Sequence, residues 1–331
     1  MAGLNHDWHV VLGAGPLGLN IVGRLTRQGR QVRLVTRSSR QVVSGVETVC
    51  VDASDAKRVH RVCQDAMVLY FCACPAPGMH EALVPLVQGV TEGVARAGCR
   101  LVYADNMGAY GSVAGPVHED LPHQPDGAIG RVRAAAADHI IEAHRTGRIA
   151  ADVIRSSDLF GPGVTDSLLG ERVFEPAVRG GSIHFPGAPD VLHSYTYVDD
   201  FGRAMVAVAG EAGSFGQTWH VPSARTLTNR ATIEAILEAG GHQATCQFMP
   251  GWLKALTGFF NRTNRDLRES AHLLEQPWVV QAERLADRFG YVPTPLEEAL
   301  GATVEWYRLR SPAGGSRTGM IHLTNKRSDQ G

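Results

Sequence analysis

The stretch His9-Val-Val-Leu-Gly-Ala-Gly-Pro-Leu-Gly18 decides the fold. His9 to Leu12 is a short apolar run of strand type, and Leu17 to Gln28 carries helical spacing. Between them stands a G-x-G-x-x-G turn in the strand–turn–helix setting that gives this pattern its meaning. Gly13 permits the tight turn, Gly15 lets a pyrophosphate approach the backbone, and Gly18 allows close helix–strand packing. The helix start then offers unpaired N–H groups to phosphate. Ala14, Pro16 and Leu17 share this loop and join the three glycines as candidate cofactor-binding residues.

Outward from this turn, apolar runs alternate with helical patterns. Further strands are expected at Gln31–Val35, Val46–Val51, Val68–Cys72, Arg100–Ala104 and Ala151–Arg155. Helices are expected at Leu83–Ala97, closed by Gly98, and at Val132–His144, stopped near Gly147. Such alternation implies βαβ units and an α/β, Rossmann-type doubly wound parallel sheet. Beyond residue 160 the rhythm breaks, with later helices at Arg230–Ala239 and Leu296–Arg308. The expected division is a dinucleotide-binding core over 1–165, to which later strands return, and a smaller C-terminal substrate-binding region over 166–310. Residues 311–331, rich in Ser, Gly, Arg and Asn, read as a mobile tail.

The chain has 331 residues, 44% hydrophobic and 20% charged, with 32 basic against 33 acidic side chains. That balance argues against a nucleic-acid or anionic-membrane partner. No apolar run approaches membrane-spanning length, no secretory signal opens the chain, and the six cysteines form no CxxC pair. These features predict a cytoplasmic protein with a small-molecule substrate. His139 and His144 lack metal-ligand spacing, so no metal is expected.

The residues around the second strand discriminate between the two dinucleotides. NAD sites place an acidic residue about 20 residues after the glycines, yet no Asp or Glu occurs between Asp7 and Glu47. Arginines stand at 24, 27, 30, 33, 37 and 40 instead. Arg37 and Arg40 suit bidentate bonds to a ribose 2′-phosphate, and Ser38 adds a hydroxyl. The pattern favours NADP over NAD.

Several ordered motifs resemble the extended short-chain dehydrogenase/reductases, the epimerase/dehydratase family. They are Val51-Asp52-Ala53, Leu101-Val-Tyr-Ala-Asp-Asn-Met-Gly-Ala-Tyr-Gly111, Arg155 with Phe160-Gly-Pro-Gly163, and Ser194-Tyr-Thr-Tyr-Val-Asp-Asp200. Phe289-Gly-Tyr-Val-Pro293 and Trp306-Tyr307 extend the likeness to about residues 8–308. The resemblance implies that Asp52 and Ala53 lie at the adenine and that Ala73 touches the cofactor. It also implies a Tyr-x-x-x-Lys pair, which this chain cannot supply. Its lysines are 57, 254 and 326, and none follows a tyrosine by four residues. Ile129 stands at the tyrosine's place, Arg133 at the lysine's, and Asn106 at that of the family's Ser/Thr.

Four residues are therefore candidates for chemistry. Asn106 can polarise a carbonyl through its amide N–H, and Arg133 can bond the nicotinamide ribose. Tyr110 is either a phenolic acid or turn packing, and His193 precedes the Ser-Tyr-Thr-Tyr stretch on the substrate side. The expectation is an NADP(H)-dependent oxidoreductase or epimerase-like enzyme acting on a small carbonyl or hydroxyl compound. A non-redox NADP(H) sensor and a redox-neutral isomerase or lyase stay open as alternatives. The Ala134–Ala137 run suits helix-to-helix packing, and the family resemblance implies that the helix at 132–144 forms part of a homodimer face.

Overall fold

The computed structural model describes residues 8–37, 43–76, 78–211, 213, 215–249 and 274–310. Ser38, Arg40 and the 311–331 tail lie outside the described residues. The first half runs β1 (Trp8–Leu12), α1 (Pro16–Arg27), β2 (Gln31–Thr36), β3 (Glu47–Cys50), α2 (Ala56–Val62) and β4 (Ala66–Phe71). It continues with α3 (Leu83–Ala97), β5 (Arg100–Asn106), α4 (Ala128–Arg145) and β6 (Ala150–Ser156).

These strands form a parallel sheet in the order β11-β6-β5-β4-β1-β2-β3, where β11 is Thr218–His220. The strand direction of travel reverses between β1 and β4, which opens a crevice at the carboxyl ends of the strands. Strand alternation sorts the side chains into two layers. Val10, Leu12, Leu69, Phe71, Leu101 and Tyr103 pack with α2, α3 and α4 on one face. Val11, Val68, Tyr70, Val102 and Ile154 pack on the other, under α1 and α6 (Val198–Gly210).

Helices α2 and α6 are among those the sequence reading does not anticipate. The seven-residue α2 gives little periodic signal because only Val59 and Val62 are buried in it. Its start is fixed by Asp55, whose carboxylate accepts from the backbone N–H of Lys57 and Arg58. Helix α6 is hidden inside the Tyr-Val-Asp-Asp motif. It docks on α1 where Asn20 donates to Asp199 at 2.7 Å, and Arg24 pairs with the same carboxylate.

The second half adds β7 (Asp158–Phe160), α5 (Glu171–Arg179), β8 (Gly181–Phe185), β9 (Leu192–His193) and β10 (Tyr195–Tyr197). After α6 and β11 come β12 (Leu227–Thr228), α7 (Asn229–Gly240), β13 (Ala244–Phe248), α8 (Glu283–Phe289) and α9 (Leu296–Leu309). Phe160, Phe174, Ile183, Phe185, Ile236 and Tyr307 give this region a core of its own. It sits over the carboxyl ends of β5 and β6 through β7, which pairs with β10 so that Asp158 lies opposite Tyr195.

Candidate cofactor and substrate cavity

The crevice is the mouth of a cavity of about 1830 Å³ that runs from the glycine turn to the second region. At one end lie Gly13, Ala14, Gly15, Pro16 and Leu17; Arg37, Asp52, Ala53 and Ala73 complete that end. Each glycine of the turn has a distinct physical reason. Gly13 has φ +112°, and a Cβ there would stand 2.8 Å from the backbone nitrogen of Ala73. A Cβ on Gly18 would fall 1.9 Å from the carbonyl oxygen of Gly13, so this glycine closes the turn on itself. Gly18 accordingly lies behind the cavity wall, buried in α1.

Gly15 differs, because a Cβ there would meet nothing within 4 Å. The fold itself makes no demand for glycine at this position, and the space in front of it is open. Gly15 is also the N-cap of α1, with Pro16 at the first position, no side-chain cap and no acidic residue in the first turn. The helix start is thus an uncapped row of N–H donors facing the cavity, a fitting cradle for a pyrophosphate.

Arg37 ends β2 exposed on the cavity wall, beside the exposed Asp52 of the β3–α2 loop. Asp52 accepts from the Ser54 hydroxyl at 2.7 Å and its backbone N–H at 3.0 Å. These two bonds hold its carboxyl below the ordinary carboxylate range.

The middle of the cavity is lined by Asn106, Ile129 and Arg133. The side-chain oxygen of Asn106 accepts from Gly108 N–H at 2.9 Å, which leaves its amide N–H₂ as the donating end. Arg133 donates to Asp105 Oδ1 at 3.1 Å and to the Cys74 thiol at 3.3 Å. Arg155 holds the other oxygen of Asp105, also at 3.1 Å. Burial is the largest influence on Arg133 and opposes its charge, but the Asp105 carboxylate together with Tyr103 and Cys74 raises the guanidinium pKa. Arg155 in turn donates to His123 Nε2 at 2.8 Å, so His123 must donate to Asp138 through Nδ1.

Tyr110 is not in the cavity. Its ring is 1% exposed and its hydroxyl lies 2.8 Å from His220 Nε2. His220 Nδ1 lies 3.0 Å from the Gln281 carbonyl, which can only accept, so Nδ1 carries the proton and Nε2 accepts from Tyr110. The tyrosine proton is therefore committed to a buried imidazole, and Arg155 stacks on the phenol ring at 4.6 Å. Of its two sequence readings, packing is the one the geometry supports.

His193 borders the cavity. It is 1% exposed, and its Nε2 lies 2.8 Å from Asp158 Oδ2, while the Asp158 side chain is 43% exposed in the cavity. His193 Nδ1 is buried without a hydrogen-bond partner among the described residues. A buried N–H left without an acceptor costs about 1–3 kcal/mol, so the proton sits on Nε2 and is donated to Asp158.

Sequence reasoning missed Asp158, which lies between the motif residues Arg155 and Phe160. The polar run Ser156-Ser157-Asp158 at a strand's carboxyl end was the available signal. It also missed Cys74, Arg172 and His184, all lining the cavity. Among the described residues no group of three or more His, Cys, Asp or Glu side chains is placed to hold a metal. No helix there is long and apolar enough to cross a membrane.

Known proteins resemble this chain in sequence and in fold. The model of the NAD dependent epimerase/dehydratase family matches residues 9–221. The low-salt glycan biosynthesis protein Agl12 of Haloferax volcanii is 28% identical over 143 residues. That alignment covers 42% of this chain and 46% of the other, less than half of the curated relative. MoeE5, solved with UDP-glucose and NAD, superposes with a TM-score of 0.74 at 20% identity, covering 91% and 98% of the two chains. The dTDP-glucose 4,6-dehydratase DesIV of Streptomyces venezuelae, solved as a double mutant with NAD bound, gives 0.74 at 19% identity over 91% and 97%. The UDP-glucose 4-epimerase of Thermotoga maritima gives 0.74 at 17% over 91% and 98%. These solved structures share the fold.

Proposed function

Because the chain belongs to the NAD dependent epimerase/dehydratase family, we propose that it is an NADP(H)-dependent enzyme acting on a small carbonyl or hydroxyl compound. One observation carries this reading: a single cavity joins the uncapped start of α1 to Asn106, Arg133 and Asp158 along the carboxyl ends of the sheet. The solved relatives carry NAD by their descriptions. The preference for NADP here rests on Arg37, on the missing acidic residue between Asp7 and Glu47, and on Ser38 and Arg40.

Bound in this cradle, the nicotinamide would supply hydride exchange with a carbinol or carbonyl carbon. The chain's own residues do the rest. The N–H groups opening α1 hold the pyrophosphate. Asp52 and Ala53 border the adenine, and Ala73 borders the cofactor beyond β4. Arg133, kept in place by Asp105, is a fixed donor for the nicotinamide ribose. The Asn106 amide donates to the substrate oxygen, which stabilises negative charge as it develops there. Ile129 offers no proton, so proton transfer passes to water or to the His193–Asp158 pair.

NADPH consumption across a panel of carbonyl compounds tests the enzyme reading. Turnover of at least one compound is expected; tight NADPH binding with no turnover would leave the sensor reading in its place. That alternative draws on the apolar Ile129 side chain in the first turn of α4.

A further inference from the structure

We propose that Asp158 determines which substrates the cavity admits: a hydroxyl or ammonium donor, and not a phosphate, faces this carboxylate. The inference rests on the reading of the cavity as a joint cofactor and substrate site. It starts from an asymmetry in the buried pair. His193 spends its one proton on Asp158 Oδ2, and it borders the cavity with only 1% of its surface exposed. Oδ1 of Asp158 has no hydrogen bond among the described residues, and the side chain is open to the cavity.

The position of Asp158 ties it to the substrate end. Asn106 and Ser156 are paired at the carboxyl ends of β5 and β6, and Asp158 comes two residues later at the start of β7. Asn106 at the end of β5 and Asp158 just beyond the end of β6 both line the cavity, so a substrate bonded to the Asn106 amide shares that wall with Asp158. An acceptor-only carboxylate bonds an O–H or N–H and repels the charge of a phosphate, whose diester oxygens in a sugar nucleotide have no proton to give at neutral pH.

The local charge agrees. Arg133 shares the Asp105 carboxylate with Arg155, and its guanidinium is held toward the β5 end of the cavity. Beyond it, toward the second region, Asp158 and Asp166 stand against the single arginine Arg172 among the described cavity-lining residues. No excess of cations surrounds Asp158 to offset its charge toward an anion. The relatives solved with UDP-glucose or UDP-glucuronic acid hold nucleoside diphosphates by their descriptions; the chemistry at Asp158 points this chain toward free polyhydroxylated or amino compounds.

The test is isothermal titration of the NADP⁺-loaded protein with UDP-glucose and with pyrophosphate, on wild type, Asp158→Asn and Asp158→Ala. Both variants are expected to bind each anion at least tenfold more tightly than wild type, with NADP⁺ affinity unchanged; Asp158→Asn keeps an oxygen for His193, whereas Asp158→Ala strands that buried N–H and should melt lower. Equal anion affinity in wild type and variants overturns the proposal, and so does an absence of anion binding throughout, since the carboxylate is then not what excludes it. Failure of wild type to bind NADP⁺ would instead fault the cofactor reading.

His193 is a positioning residue in this scheme. His193→Gln keeps a donor near the place of Nε2 and should retain the exclusion, whereas His193→Phe should relax it at least threefold. A His193→Phe protein that excludes both anions like wild type would refute the positioning role.

Discussion

Arg133 and Asp105 are bound to each other across the floor of the cavity, with Arg133 Nη1 3.1 Å from Asp105 Oδ1. Arg155 takes the second oxygen of the same carboxylate. One buried anion thus fixes two guanidinium groups, of which Arg133 faces the cavity and Arg155 supports the packing around Tyr110.

This arrangement predicts unequal effects at its members. Asp105→Ala strands the fully buried Arg155 without its carboxylate and should cost about 3–5 kcal/mol of stability, the range for breaking a buried pair. Arg133→Ala leaves the Asp105–Arg155 pair intact and should cost far less while weakening dinucleotide binding. Urea unfolding and dinucleotide titration of both variants check the contrast.

The three glycines of the turn should separate folding from binding. Gly18→Ala places a Cβ 1.9 Å from the Gly13 carbonyl oxygen, and Gly13→Ala forces φ +112° on an alanine. Both should lower the melting temperature by several degrees. Gly15→Ala meets only open space, so it should melt like wild type yet lose dinucleotide affinity at least tenfold. Thermal melts with and without NADP⁺ read both quantities.

Arg37→Asp should weaken NADP⁺ binding by about 1–3 kcal/mol, the range for a charge-assisted bond, and should leave NAD⁺ binding nearly unchanged. Paired titrations with the two dinucleotides measure this. An equal loss for both would place Arg37 away from the 2′-phosphate.

Stability should fall in acid because of His220. Burial lowers its pKa from the ordinary 6.5 to about 3 in the folded protein. A histidine that is harder to protonate when folded favours the unfolded chain as pH drops below 6.5, down to about 3. The contribution is whole above pH 6.5, and about 2 kcal/mol of it is lost by pH 5. Urea midpoints at pH 7 and pH 5 should show this loss, and His220→Gln should reduce it. Tyr110→Phe should cost about 1 kcal/mol for its lost hydrogen bond with dinucleotide affinity unaltered.

The difference between what sequence revealed and what it concealed tracks the range of the interactions. The glycine turn and the alternating strands announce themselves through local spacing and period, so they were legible. Tyr110 was ambiguous because its partner His220 lies 110 positions away. His193 was expected on the substrate side, but Asp158, which faces the cavity in front of it, comes from 35 positions earlier. Helix α6 shows helical spacing at Val198, Phe201, Met205 and Val208, but its first turn coincides with the Tyr-Val-Asp-Asp motif, and the stretch reads as a motif and not as a helix.

The crevice between β1 and β4 should hold a nicotinamide dinucleotide. Native mass spectrometry of the protein incubated with equal NADP⁺ and NAD⁺ tests it most directly. One dinucleotide per chain is expected, carrying the mass of the extra phosphate, and it should be lost in Gly15→Ala. A wild-type spectrum showing only the bare chain would contradict the claim.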